Sequence, residues 1–306
     1  MKRLRLGTRG SALARWQADW VKARLAERGV AAELVIIKTR GDAEVDRPLQ
    51  QLEGKGFFTK EIEDALLAER IDVAVHSLKD LPTGLPPGLA LAAVPERADA
   101  GEALVVRDGM PAATGLLQLA TGSRLGTSSL RRIAQVKHLR PDLEVMALRG
   151  NVPTRVKKVT DGGQLDAALL AVAGLTRLGL GEAVAARLDP LEVMPAPGQG
   201  ALGLEIRADD HATRAALQPL EHAESAQAVA AERALLGELD SGCQAAVAAY
   251  TGTWDGRWVL YGRVTARDGS LQVTASSVID SAKPGDAGVN VARLLLAQGA
   301  ASLLAR

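Results

Sequence analysis

Ile71-Asp72-Val73-Ala74-Val75-His76-Ser77-Leu78-Lys79-Asp80 is the stretch whose structure decides the fold. Ile71 to Val75 has the apolar, β-branched character of a strand, and it ends in a turn carrying an imidazole, a hydroxyl, an ammonium and a carboxylate. Upstream, a short helix carrying Ile62, Leu66 and Leu67 follows Gly54-Lys55-Gly56-Phe57-Phe58-Thr59. Before that, Leu34-Val35-Ile36-Ile37 is a continuous apolar run, as a strand buried on both faces should be, and it leads into Thr39-Arg40-Gly41-Asp42. Leu4 to Leu6 reads as a first strand ending in Gly7-Thr8-Arg9-Gly10-Ser11. Ser11 is placed to cap a helix with Leu13, Trp16, Trp20 and Leu25 on one face. Strands alternating with helices indicate a parallel α/β sheet, whose ligands gather at the carboxyl ends of the strands. Arg9, Arg40 and the Lys79-Asp80 pair all fall at such ends.

Downstream, a Pro/Gly-rich connection from Leu81 to Gly88 precedes Leu89 to Val94, and from about Pro95 the pattern restarts. Ala103 to Val106, the stretch around Leu125, Val145 to Leu148 and Ala167 to Val172 are the expected strands of a second α/β unit. Gly126-Thr127-Ser128-Ser129-Leu130-Arg131-Arg132 opens a helix with Ile133, Val136 and Leu139. Two arginines in a first helical turn oppose the macrodipole, which favours anions there. A bound anion, met by free N–H groups, hydroxyls and guanidinium forks, accounts for them; two solvated surface arginines are the alternative. Arg149-Gly150-Asn151 with Arg155, and Thr176-Arg177-Leu178-Gly179, again place arginine beside glycine after a strand. Together with Arg9 these cations suit a small substrate bearing several carboxylates or phosphates.

From about Glu221 the pattern changes. A helix with Ala226, Val229, Ala230, Arg233 and Leu236 leads to Leu239-Asp240-Ser241-Gly242-Cys243-Gln244. Ala245 to Thr253, Arg257 to Thr265 and Leu271 to Val278 are separated by Asp255-Gly256 and Asp268-Gly269, the signal of an antiparallel three-stranded meander. A last amphipathic helix, about Ala287 to Leu304, covers one face of this small α+β domain. Cys243 is the only cysteine, so it forms no internal disulfide. It is either an inert small hydrophobe or a thiol presented by a Ser-Gly turn for nucleophilic chemistry.

The 306 residues predict two or three domains, and 47% hydrophobic content is ample for their cores. A net charge of +1 and 3% aromatic residues argue against a nucleic-acid binder, which needs cations in excess and rings for stacking. No apolar run reaches the ~18 residues of a membrane span, and the basic N-terminus lacks the apolar segment of a signal peptide. A cytoplasmic protein is expected, with no membrane partner. Gly198-Gln199-Gly200-Ala201-Leu202-Gly203 spells G-x-G-x-x-G but precedes a strand rather than a helix, so it is no dinucleotide site. Gly54-Lys55-Gly56 lacks the spacing of a phosphate loop. His76, His138, His211 and His222 have no metal-ligand spacing with Cys243, and no metal is expected; His76 reads as a structural histidine.

The chain resembles the hydroxymethylbilane synthase (porphobilinogen deaminase) family. The resemblance rests on Thr8-Arg9-Gly10-Ser11, Gly54 to Phe58, His76 to Pro82, Gly126 to Arg132, Leu148-Arg149-Gly150-Asn151-Val152, Ala171 to Leu175 and Pro197-Gly198-Gln199-Gly200. It departs from the family at Ser241, where a glycine is usual, and at Ala245-Ala246, which replaces Val-Pro. The resemblance implies two periplasmic-binding-protein-like α/β domains, residues 1–97 with 197–217 and residues 98–196. A small α+β domain with a three-stranded antiparallel sheet would follow, residues 218–306. It further implies a monomeric transferase of tetrapyrrole (porphyrin and heme) biosynthesis. Four porphobilinogen molecules would be joined head to tail with loss of ammonia, on a dipyrromethane cofactor held by a thioether to Cys243, and the linear product released by water. Loss of ammonia leaves an electron-poor azafulvene, and the positive charge that develops on pyrrole nitrogens calls for a fixed carboxylate, for which Asp80 is the candidate. Ser77, Lys79, Asp80, Thr127, Ser128, Ser129, Arg131, Arg132 and Gln199 would hold the cofactor. Arg9, Ser11, Gln17, Arg149, Arg155 and Arg177 would hold substrate or the growing chain. The competing expectation is a non-catalytic two-domain binding protein for a small polycarboxylate or phosphate, which leaves Asp80 and the presented thiol without a purpose.

Overall fold

The computed structural model describes residues 3–39, 59–109, 115–239 and 246–304. The described residues fall into two compact units. One lies within Met1–Arg47, Leu52–Ala98 and Gly200–Ala226, the other within Asp99–Gln199 and Gln227–Arg306.

The first unit is built on five strands: β1 (Leu4–Arg9), β2 (Ala32–Ile37), β3 (Val73–Ser77), β4 (Leu89–Ala93) and, far along the chain, β10 (Leu202–Arg207). Their order is β2-β1-β3-β10-β4. Strand β1 runs parallel to β2, from Leu4 opposite Ala32 to Arg9 opposite Ile37, and parallel to β3. The parallel sheet expected from alternating strands and helices is therefore only partly realised. β10 returns to this unit after the long excursion from Ala98 and inserts antiparallel to both β3 and β4. Helix α1 (Ala12–Ala26) packs Ala18, Val21 and Leu25 with Leu6, Val73, Val75 and Leu204. Helix α2 (Lys60–Leu67) contributes Ile62, Ala65 and Leu66 to a separate cluster with Ile71, Ala74 and Leu89. Apolar packing on both faces is why the central strands read as unbroken apolar runs.

The second unit repeats this plan with β5 (Glu102–Val106), β6 (Arg124–Gly126), β7 (Glu144–Met146), β8 (Ala167–Ala171) and β9 (Ala186–Arg187), in the order β7-β6-β8-β5-β9. Here too β6, β7 and β8 are parallel, while β5 pairs antiparallel with β8 and β9. Helices α3 (Leu130–Leu139), α4 (Val152–Thr160) and α5 (Val172–Arg177) bring Val136, Val156 and Leu175 into its two cores. The same clamp holds both sheets. Arg5 donates its backbone N–H, Nε and Nη2 to Asp72 at 2.7–2.9 Å. Arg124 makes the identical three bonds to Asp166 at 2.9–3.1 Å. In each unit the arginine lies on the first parallel strand and the aspartate immediately precedes the third.

After α6 (His211–Leu217) and α7 (Ala223–Glu238) come β11 (Val247–Trp254), β12 (Arg257–Thr265) and β13 (Gln272–Val278), an antiparallel meander as expected. Asp255 and Gly256 both have positive φ, 49° and 69°, as a two-residue type I′ turn requires. The final helix is two pieces, α8 (Pro284–Ala297) and α9 (Ala300–Leu304), interrupted at Gly299 with φ 92°. Leu235 of α7 and Val291 and Leu295 of α8 pack on Leu260 and Val264 of β12. The expected α/β class, two sheet-based α/β units and a small α+β part with a three-stranded antiparallel sheet, is what the chain forms.

Candidate active site

In the first unit the parallel pairing of β1 with β3 brings the ends of both strands to one edge of the sheet. Beyond β1, Arg9 is followed by Ser11, whose Oγ accepts the Ala14 N–H at 3.3 Å and caps α1 as expected. Beyond β3, Leu78–Asp80 form a single 3-10 turn. Leu78 N–H is tied to the Ala201 carbonyl at 3.0 Å and Leu81 N–H closes back on Leu78 at 3.1 Å. Buried Leu78 anchors the turn, leaving Lys79 and Asp80 half-exposed. Arg9, Ser11, Gln17, His76, Ser77 and Asp80 line one cavity of about 70 Å³. Gln17 is buried, and its amide donates to Ser77 Oγ at 2.8 Å, which fixes that hydroxyl at the cavity wall. This cavity gathers five of the residues singled out from sequence, a guanidinium and a carboxylate among them.

The wall behind it is acidic. His76 Nε2 lies 3.0 Å from Glu205 Oε2 of β10, both buried. Among the described residues, Glu205 Oε1 and Glu63 Oε1 are buried without a hydrogen-bond partner. Burial pushes the Glu63 carboxyl above its ordinary range, opposed by Thr59 and reinforced by the charge of Glu205. His76 is thus held by the protein itself, in keeping with a structural histidine.

In the second unit β6 ends at Gly126, where a Cβ would stand 2.7 Å from a Leu165 methyl and 3.0 Å from a Leu148 methyl, so a side chain there would have to displace them. Thr127 N–H bonds the Met146 carbonyl at 2.9 Å, and Ser128 Oγ both accepts from Leu148 N–H at 3.0 Å and donates to its carbonyl at 3.1 Å. Ser129 is the N-cap of α3 by position, yet its side chain makes no cap hydrogen bond. The arginines that follow are neither solvated nor turned to the surface. Arg131 and Arg132 are each 5% exposed, and each donates Nη2 to Glu102 at 2.6 Å, one to Oε1 and the other to Oε2. The anion that two arginines in a first turn demand is, in part, supplied by the chain. Sequence reasoning missed Glu102; a carboxylate heading the apolar strand Ala103 to Val106 was the available signal.

Arg149 and Arg155 flank one loop. Gly150 has φ 115°, its carbonyl accepts Arg155 Nε at 2.7 Å, and Asn151 caps α4 through Thr154 N–H at 2.9 Å. Lys158 Nζ donates to the Arg149 carbonyl at 3.1 Å. Arg177 ends α5, and burial pulls its guanidinium down to about 10, still protonated at neutral pH. Gln199 is buried, with Nε2 on the Ala100 carbonyl at 2.8 Å. Cys243, Arg40 and the Gly54 to Phe58 stretch lie outside the described residues. Among the described residues no group of His, Cys, Asp and Glu could hold a metal, and no helix is long and apolar enough to cross a membrane.

The family model described as porphobilinogen deaminase, dipyromethane cofactor binding domain, matches residues 4–215, and that of the porphobilinogen deaminase C-terminal domain matches residues 226–297. Porphobilinogen deaminase of Geobacter metallireducens is 47% identical over 99% of this chain and 94% of its own. The proteins of the same name from Geobacter sulfurreducens and Corynebacterium glutamicum are 46% and 47% identical, covering 100% and 98% of this chain and 95% and 98% of theirs. The solved methionine-binding protein MetQ aligns with 75% of the chain and 94% of its own at 12% identity and a TM-score of 0.42, a level on which no argument rests. Matched along nearly its whole length by two family models and by relatives close to half identical, the chain belongs to the porphobilinogen deaminase family.

Proposed function

We infer that this enzyme condenses four porphobilinogen molecules head to tail, releasing ammonia at each step and linear hydroxymethylbilane at the end. The observation that carries this reading is the family match together with a cavity in which one carboxylate, Asp80, stands with the Arg9 guanidinium and the hydroxyls of Ser11, Thr59 and Ser77. Porphobilinogen carries an acetate and a propionate, so the product grows as a polyanion. Arg9, Ser11 and Gln17 in the first unit and Arg149, Arg155 and Arg177 in the second are the groups proposed to receive its carboxylates, with charge-assisted bonds that also fix orientation. Asp80 is the proposed catalytic residue. Its carboxylate opposes the positive charge that develops on the substrate pyrrole nitrogen as ammonia leaves, an effect on the order of 3 kcal/mol for a preorganised group.

The residues present fit the dipyrromethane cofactor of the family. The first turn of α3 is a ready anion site with no side-chain cap, and among the described residues Arg132 Nε is a buried donor without an acceptor and the Arg131–Glu102–Arg132 cluster keeps one net positive charge. Thr127, Ser128, Ser129, Arg131, Arg132 and Gln199, with Ser77, Lys79 and Asp80, are proposed to hold it, and Cys243 to carry it by a thioether. Bound there, it supplies the primer pyrrole to which substrate is joined. The proposal includes a division into residues 1–97 with 197–217, 98–196 and 218–306, and a monomer acting in the cytoplasm.

Intact mass spectrometry tests the reading. Protein made in a host that produces porphobilinogen is expected to exceed its sequence mass by one dipyrromethane unit located on Cys243. A bare mass with freely alkylated Cys243 would instead leave a non-catalytic anion binder.

A further inference from the structure

Glu102 opens β5 with a carboxylate that is 0% exposed, and both of its oxygens are taken by cations. Arg131 Nη2 reaches Oε1 and Arg132 Nη2 reaches Oε2, each at 2.6 Å. The other terminal nitrogens are pinned as well, Arg131 Nη1 on the Met194 carbonyl at 2.6 Å and Arg132 Nη1 on the Leu169 carbonyl at 2.9 Å. Two neighbouring guanidinium groups are therefore held in one orientation where water has little access. Burial and the charge of Arg132 both lower the pKa of Arg131, and Glu102 raises it. Without the carboxylate, two buried like charges would repel, and at least one side chain would swing out.

Among the described residues the cluster counts two cations and one anion, leaving +1. The count of donors also leaves a surplus, because Arg132 Nε is buried and finds no acceptor among the described residues. Arg132 belongs to the first turn of α3, where Ser129 leaves the helix without a side-chain cap. A surplus positive charge, an unused buried donor and an uncapped helix start together describe a receptor for one carboxylate.

We propose that Glu102 is a positioning residue for the cofactor: it clamps Arg131 and Arg132 into one rigid fork of net charge +1 that receives a single carboxylate of the dipyrromethane. This rests on the family reading above. Glu102 touches neither cofactor nor substrate in this role; it sets where the two guanidinium groups point and how much charge they present.

The test separates charge from shape. Adduct-free wild type, Glu102→Gln and Glu102→Asp are prepared in a host that makes no porphobilinogen, and folding is checked by circular dichroism and melting. Porphobilinogen is then added and the rate of adduct formation followed by intact mass. The isosteric Glu102→Gln keeps the volume and loses the charge, so loading is expected to slow at least tenfold. Glu102→Asp keeps the charge and loses a methylene, so loading is expected to stay within about threefold of wild type. A merely structural role reverses that order, since the amide fills the site and the shorter acid leaves a void. Folded Glu102→Gln that loads at the wild-type rate, or that loads faster than Glu102→Asp, overturns the proposal. If Glu102→Gln does not fold, Glu102→Asp decides alone: loading within threefold sustains the proposal, and a folded protein slowed more than tenfold ends it. Wild type that takes up no adduct at all would instead refute the family reading.

Discussion

Glu205 on β10 and Glu102 on β5 are buried carboxylates on the antiparallel strands of two sheets that share one spatial pattern of parallel and antiparallel neighbours, and they keep opposite company. Glu205 faces the His76 imidazole, leaves one oxygen without a partner among the described residues and lies near Glu63, whose carboxyl burial pushes above its ordinary range. Glu102 faces two guanidinium groups and uses both oxygens. The frameworks around them are alike down to the Arg5–Asp72 and Arg124–Asp166 clamps. A common scaffold thus carries two electrostatic characters. The first unit concentrates acid beside the cavity holding Asp80, where developing positive charge would be stabilised. The second concentrates cations at the start of α3, where carboxylates would be held.

The largest expected effect comes from breaking the cationic side. Arg131→Leu or Arg132→Leu removes one of the two guanidinium groups on Glu102 and leaves α3 without its fork, so the protein should remain an inactive, adduct-free form by intact mass. Arg149→Leu, Arg155→Leu or Arg177→Leu should instead keep the adduct and accumulate partly elongated species, seen by native mass spectrometry as a ladder one pyrrole unit apart. Equal weakening in all five variants, with no change in the ladder, would dissolve the distinction between cofactor and chain sites.

Breaking the acidic side comes next. Asp80→Asn keeps shape and hydrogen bonding but removes the charge, and turnover should fall by about two orders of magnitude with an unchanged circular dichroism spectrum. Turnover within a few-fold of wild type would assign the stabilisation to another group.

The shared framework is tested by its clamps. Asp72→Asn removes charge from three hydrogen bonds around a buried carboxylate and should cost about 1–2 kcal/mol in urea unfolding. Asp166→Asn should act in the same direction. The Arg124 guanidinium holds the Asp166 carboxyl below the usual range, so its contribution is fully present above the unfolded value of 3.8. It is lost as pH falls through the lower, folded pKa, and Asp166→Asn should therefore flatten the acid limb of a stability–pH curve.

The smallest effect has the opposite sign. Burial raises the Glu63 carboxyl, so folding is least burdened below its unfolded value of 4.5 and loses stability as pH rises through the raised, folded value. Glu63→Gln should consequently melt higher than wild type at pH 7, with the gap shrinking toward pH 4. No gain at pH 7 would mean that the orphaned oxygen is compensated in solution.

What was legible in the sequence is what depends on near neighbours. Periodicity located most strands of both α/β units and the helices that follow Ser11, Thr59 and Ser129, Ser11 was identifiable as a cap three residues from the N–H it accepts, and Asp255-Gly256 announced its hairpin. The residue types of the site were legible as well, because arginines and a carboxylate at strand ends are costly without a ligand. Only the tertiary structure decided which strands of the two α/β sheets run antiparallel, since β10 and β5 are placed by pairing with partners distant along the chain. It alone decided the company of the buried charges: His76 meets Glu205 across 129 residues, and Arg131 and Arg132 meet Glu102 across 29 and 30. A charge removed from water needs a counter-charge within a few ångströms, and the folded chain, not the local sequence, determines which residue stands there.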